Sequence, residues 1–133
     1  MEATFTLSAD SESGILRITM SGFFAPPDIA RLNAAVGDGV VRLNTAPNQH
    51  RTLVDMRHVD IQSSEAVAEF RRILANPRTA ASCIAFVVAK SLAAMQVRRA
   101  AAGRVARYFD TIEAAEAWLH SADLDTAPRR SIG

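Results

Sequence analysis

The sequence predicts an α/β domain: a mixed, mostly parallel sheet that opens with an antiparallel hairpin and carries about four helices. Three observations predict it. Two alternating segments, Ala3 to Ser8 and Ile15 to Met20, flank the turn sequence Asp10-Ser-Glu-Ser-Gly14, which is the signature of a hairpin. Beyond them, strand-like and helix-like segments alternate, which implies right-handed crossovers between parallel strands covered by helices. The run Cys83-Ile-Ala-Phe-Val-Val-Ala89 is almost continuously apolar, as expected of a strand covered on both faces.

The elements follow in the order ββαβαβαβα. Pro26 and Pro27 suit the first turn of a helix, where missing N–H groups cost nothing, and Asp28 lies near the positive end of its dipole. Phe24 and Ile29 have the spacing of a hydrophobic staple. Ile29, Leu32, Val36, Val40 and Leu43 form its inward stripe. Gly37 and Gly39 each weaken the helix by up to about 1 kcal/mol, so a kink is expected there. After a loop over Asn44 to His50, Arg51 to Met56 reads as the third strand and His58 to Ser64 as a polar loop. Ser63 or Ser64 then caps a helix with the stripe Val67, Phe70 and Leu74, stopped by Asn76-Pro77. Ser91 caps the next helix, with Leu92, Met95 and Ala102 expected inward, Arg98 and Arg99 outward, and Gly103 at its end. Val105 to Phe109 is the closing strand. Asp110-Thr-Ile-Glu113 has the spacing of a capping box before a helix whose stripe is Ile112, Ala115, Trp118 and Leu119. The expected domain spans 1–121, followed by a frayed polar tail over 122–133.

The chain has 133 residues, the usual size of one domain. With 49% hydrophobic and 22% charged residues, wholesale disorder is excluded. Cys83 is the single cysteine, so no internal disulfide forms, which fits a reducing compartment. The opening MEATFTLSADSE lacks the basic start and apolar run of a signal peptide. No apolar stretch approaches the ~18–20 residues needed to cross a bilayer. A cytoplasmic protein is therefore expected. The net charge is only +1, but its distribution is uneven. Arg71, Arg72, Arg78, Lys90, Arg98, Arg99, Arg104 and Arg107 fall in a stretch without acids, and Asp110 to Asp125 carries acids without Lys or Arg. Such asymmetry attracts an anionic partner or forms two solvated helix faces.

The segment Asp55-Met-Arg-His-Val-Asp-Ile-Gln-Ser-Ser64 leaves the carboxyl end of an inner strand, where open α/β sheets bind ligands. Asp55, His58, Asp60, Ser63 and Ser64 are its candidate switch or partner-binding residues. Their simpler reading is that Ser63 or Ser64 caps the helix while Asp55 binds nearby backbone N–H groups. A metal site needs three or four convergent ligands, and one histidine with two aspartates in one loop falls short. A serine hydrolase built on Ser63 and His58 lacks the Gly-x-Ser-x-Gly elbow. Phe23 and Phe24 are the candidate wall of a ligand pocket or a partner surface. No nucleic-acid motif accompanies the arginines, and nothing in the pattern requires a cofactor.

Leu53-Val-Asp-Met-Arg-His-Val-Asp-Ile-Gln-Ser-Ser-Glu-Ala-Val67 is similar to the strand, acid-containing segment and serine pair that open a helix in the STAS domain of anti-sigma-factor antagonists. Arg107-Tyr-Phe-Asp-Thr-Ile-Glu-Ala-Ala-Glu-Ala-Trp-Leu119 looks like the closing strand and helix of its SpoIIAA-like branch. With the element order, the resemblance covers residues 3–121. It implies a STAS-like fold and a non-catalytic regulatory module whose partner is another protein. It also places Ser63 at the position of the family's phosphorylated serine. Here Gln62 and Glu65 replace the family's Asp and Gly. A phosphate on Ser63 would be repelled by Glu65 and favoured by the helix N-terminus. The SpoIIAA-like branch also resembles the CRAL-TRIO lipid-carrier fold, which implies the alternative of a carrier or sensor of a small apolar or lipid-like ligand. A homodimer stays open. No nucleic-acid partner, membrane span, cofactor or metal is expected.

Overall fold

Asp10 organises the first turn: its carboxylate accepts the Glu12 N–H and the Ser13 hydroxyl, the latter at 2.7 Å, and Gly14 closes the turn at φ +71°. The turn joins β1 (Thr4–Asp10) to β2 (Ile15–Gly22), which pair antiparallel. The computed structural model describes residues 2–121. The polar tail expected over 122–133 lies outside the described residues. After the hairpin come α1 (Pro26–Leu43), β3 (Arg51–Val59), α2 (Ser64–Ala75), β4 (Cys83–Val87), α3 (Leu92–Ala100), β5 (Ala106–Phe109) and α4 (Ile112–His120). The sheet has the order β1-β2-β3-β4-β5, and every pairing after the first is parallel. This is the mixed sheet with an opening hairpin and four helices that the sequence predicts.

Side-chain alternation divides the core. On one face, Leu16, Ile18, Met20, Val54, Ile84 and Phe86 meet Ile29 and Leu32 of α1, Ala66 of α2 and Val97 of α3. On the other, Ile15, Leu53, Cys83, Ala85 and Val87 meet Ala115 and Leu119 of α4. Successive strand residues point to opposite faces, so the continuously apolar β4 is buried at every position. Cys83 is fully buried there, as a core residue. Arg51 and Arg17 fasten α4 to the sheet, the first through the Leu119 carbonyl and the second through Glu116.

The start of α1 follows expectation. Its prolines occupy the first two positions, and the Asp28 carboxylate accepts the Ala25 N–H at 2.9 Å. Phe24 and Ile29 are buried in one cluster, as the staple requires. α1 is not interrupted at either glycine. Gly39 lies so close to the sheet that a Cβ would come within 2.6 Å of Leu16 and 2.9 Å of Leu7. The missing side chain permits close approach.

Three further expectations are corrected. β3 does not end at Met56. It continues to Val59, because a bulge sets Met56 and Arg57 opposite Met20 and restores pairing at Ser21 with His58. His58 therefore belongs to a strand and not to a loop. In α3 the buried residues are Ala93, Val97 and Ala100, while Leu92 and Met95 are 63% and 57% exposed, and Ala102 is also exposed. The inward stripe is thus offset by one residue, since Gln96 faces the β3–α2 loop. The cap of α4 is Thr111, whose hydroxyl accepts the Ala114 N–H at 3.1 Å, so Asp110 stands outside the helix.

His50 precedes β3 and is 2% exposed, with neither ring nitrogen partnered. Burial pushes its pKa below the ordinary imidazole value of 6.5. Below that value the unfolded chain binds a proton that the native state resists, so stability is lost as pH falls through 6.5. Urea unfolding at a series of pH values is expected to show a loss of up to ~1.4 kcal/mol per pH unit in that window, flattened in His50→Leu. Nothing lies near Gly37. Gly37→Ala is expected to stabilise by about 0.5–1 kcal/mol, whereas Gly39→Val costs about 1–3 kcal/mol through overpacking. Paired denaturation curves check both.

Candidate functional site

The carboxyl ends of β2, β3 and β4 lie side by side, and the segments that leave β2 and β3 meet at one side chain. Gln62 is 9% exposed. Its Oε1 accepts the Phe24 N–H at 2.8 Å, and its Nε2 donates to the Gly22 carbonyl at 3.0 Å and the Asp60 carbonyl at 2.6 Å. Its backbone is held by Gln96 of α3, whose Oε1 accepts the Gln62 N–H at 2.7 Å and whose Nε2 donates to the Gln62 carbonyl at 2.8 Å. Two amides therefore join the β2–α1 segment, the β3–α2 segment and α3. Sequence reasoning noted Gln62 only as a departure from the family's Asp beside Ser63, and did not single out Gln96.

The expected site residues separate. Ser63 caps α2, its hydroxyl accepting the Ala66 N–H at 3.0 Å, and Ser64 is exposed beside Glu65. Asp60 lies between β3 and Gln62, its N–H bound to the Gly22 carbonyl at 3.1 Å. Asp55 is two residues from Leu53 and shares the α4 side of the sheet. The bulge folds Arg57 back onto it in a two-pronged contact, Nε at 3.0 Å and Nη2 at 2.8 Å. The Arg57 guanidinium holds the Asp55 carboxyl below the usual carboxylate range. Asp55 thus also accepts the Arg57 N–H, a backbone role close to the one expected of it. Among the described residues, no hydrogen bond joins Ser63 to His58, and no group of three His, Cys, Asp or Glu side chains is placed to hold a metal. The residues do not assemble a Ser-His-Asp triad.

Phe24 is fully buried, its ring edge-on to Phe70 at 5.8 Å, and Phe23 is 43% exposed. A cavity of about 110 Å³ lies between the sheet and helices α1 to α3, bounded by side chains such as Val54, Phe86, Phe70 and Val97. Neither Phe23 nor Phe24 borders it. Several arginines of the basic run are engaged in intramolecular contacts. Arg71 and Arg104 bind the carbonyls of Arg99 and Ala81, and Arg98 sits 4.0 Å over the Tyr108 ring, itself stacked on Phe86.

Three solved structures share this architecture. An uncharacterised DUF3478-family protein with a SpoIIAA-like fold from Shewanella loihica matches at a TM-score of 0.67 and 13% identity, over 88% of this chain and 93% of its own. This chain has a SpoIIAA-like fold. An anti-sigma factor antagonist from Mycobacterium paratuberculosis matches the SpoIIAA-like domain at 0.59 and 12% identity, over 90% and 95% of the two chains. A chain from the complex of the diguanylate cyclase SiaD with its activator SiaC, from Pseudomonas aeruginosa, matches at 0.51 and 15% identity, over 82% and 92%. No family model and no curated protein matches the sequence. No helix among the described residues is long and apolar enough to cross a membrane.

Replacing Gln62 by Ala strands an N–H and two carbonyls. It is expected to lower unfolding free energy by about 2–4 kcal/mol, and Gln96→Ala by less because its partners lie nearer water. Chemical denaturation with the two single variants checks the order.

Proposed function

We propose that this SpoIIAA-like domain is a non-catalytic regulatory module that binds another protein through the carboxyl edge of its sheet. One observation carries the reading. Phe23, Ile61 and Leu92 are exposed large apolar residues at the ends of elements along that edge, and Met95, one turn into α3, is exposed as well. The Gln62–Gln96 pair links the segments that carry them, so they are presented on a braced edge. Exposed apolar groups on a rigid support mark interaction sites. The neighbours support the same reading, since one is an anti-sigma factor antagonist and another comes from a cyclase–activator complex.

Ser63, the N-cap of α2, lies at the same edge, and we place the candidate switch there. Its hydroxyl already serves the helix, so a phosphate would exchange a cap for a charge at the positive end of the dipole. Glu65 opposes that exchange. Binding through the apolar patch does not depend on it.

A tagged wild-type domain is expected to retain a specific protein from the lysate of its own cells. Ile61→Glu and Leu92→Glu should abolish retention, while Val41→Glu, on the exposed side of α1, should preserve it. Equal retention by all four forms would falsify the assignment. Ser63→Ala is expected to cost about 1 kcal/mol of stability by loss of the cap, and Ser63→Asp much less, read from thermal unfolding.

A further inference from the structure

The helices do not lie at one height above the sheet. α1 packs closely on β1 and α4 on β4, whereas α2 and α3 pack on each other and stand further off the strands. Several of the residues turned toward that gap from α3 and the segment before β4 are small, among them Ala93, Ala100 and Ala81. The gap remains as the cavity of about 110 Å³, in an interior where such space is ordinarily filled.

Its chemistry is one-sided. The walls are almost entirely aliphatic and aromatic, and among the described residues that border it there is no Lys, Arg or His. The amides of Gln62 and Gln96, which reach its carboxyl end, have their oxygens and nitrogens engaged with backbone. Asp60 borders the same end. A carboxylate or phosphate would therefore meet no cation and one acid. The size is also selective. A dry apolar cavity of about 150 Å³ accepts benzene or xenon, and this one is somewhat smaller.

We propose that the space beneath α2 and α3 is a binding site for one small, uncharged, apolar molecule, an aromatic ring or a short branched alkyl group. The occupant lies between the sheet and helices α1 to α3, and the exposed apolar residues of the edge, Phe23, Ile61, Leu92 and Met95, do not border it. Charged lipids and fatty acids are rejected by the walls.

The test is a titration of the labelled protein with benzene, and in parallel with hexanoate, followed by amide shifts in ¹H–¹⁵N spectra and by thermal unfolding. Benzene is expected to give saturable shifts at Val54, Phe86 and Val97 and to raise the melting temperature, and hexanoate neither. Ala100→Leu, which fills the space from α3, should weaken benzene binding by roughly tenfold or more. Should that variant fail to fold, Ala93→Val is the smaller filling and should weaken binding in the same direction. Absence of saturable shifts in the wild type, undiminished binding in the folded filled variant, or equal binding of hexanoate would each overturn the proposal.

Discussion

The side chain of Gln62 ties together the segments that leave β2 and β3, which the chain order keeps apart. At the carboxyl edge of a parallel sheet, each strand ends with backbone groups that no neighbouring strand satisfies, and burial without a partner costs about 1–3 kcal/mol for each such group. One amide supplies an acceptor for Phe24 and donors for Gly22 and Asp60. Because those bonds are buried, they form in a low dielectric and set the path of the chain into both α1 and α2. Gln96 repeats the device from α3. The segments that carry the exposed residues Phe23, Ile61 and Leu92 are joined through these two amides.

The two faces of the sheet are closed in different ways. α4 is pinned by Arg17 and Arg51 and buries Ala115 and Leu119 completely, so that side is tightly filled. The opposite side is filled at α1, where Gly39 lets the helix settle against Leu16 and Leu7, and is incompletely filled under α2 and α3. Polar connection by Gln62 and Gln96 keeps the two helices in place where apolar contact with the strands is thin.

Much of the fold was legible because it rests on local signals. The hairpin followed from alternation around Asp10 and Gly14, the start of α1 from its prolines and Asp28, and the burial of β4 from its unbroken apolar run. The site was legible only in outline. Asp55, His58, Asp60 and Ser63 are close in sequence, but a bulge at Met56–Arg57 and the alternation of a strand put Asp55 on the α4 side. α3 misled for a related reason. Its larger apolar residues, Leu92 and Met95, suggested the inward stripe, yet the inward positions are those that let Gln96 reach Gln62. A polar contact 34 residues distant leaves no trace in hydrophobic periodicity.

The sequence by itself determined the order of elements, the mostly parallel sheet with its antiparallel edge, the helix cap at Ser91, a serine cap at Ser63 or Ser64, and the likeness to the SpoIIAA-like branch. Each of these depends on neighbouring residues and on the two periods of 2 and 3.6. Tertiary structure decided the length of β3, the rotation of α3, the separation of Asp55 from Ser63, the cavity and the role of Gln62. Those depend on how far one packed layer stands from another and on which buried backbone groups are left to be satisfied. Both are set only when segments remote in the chain meet.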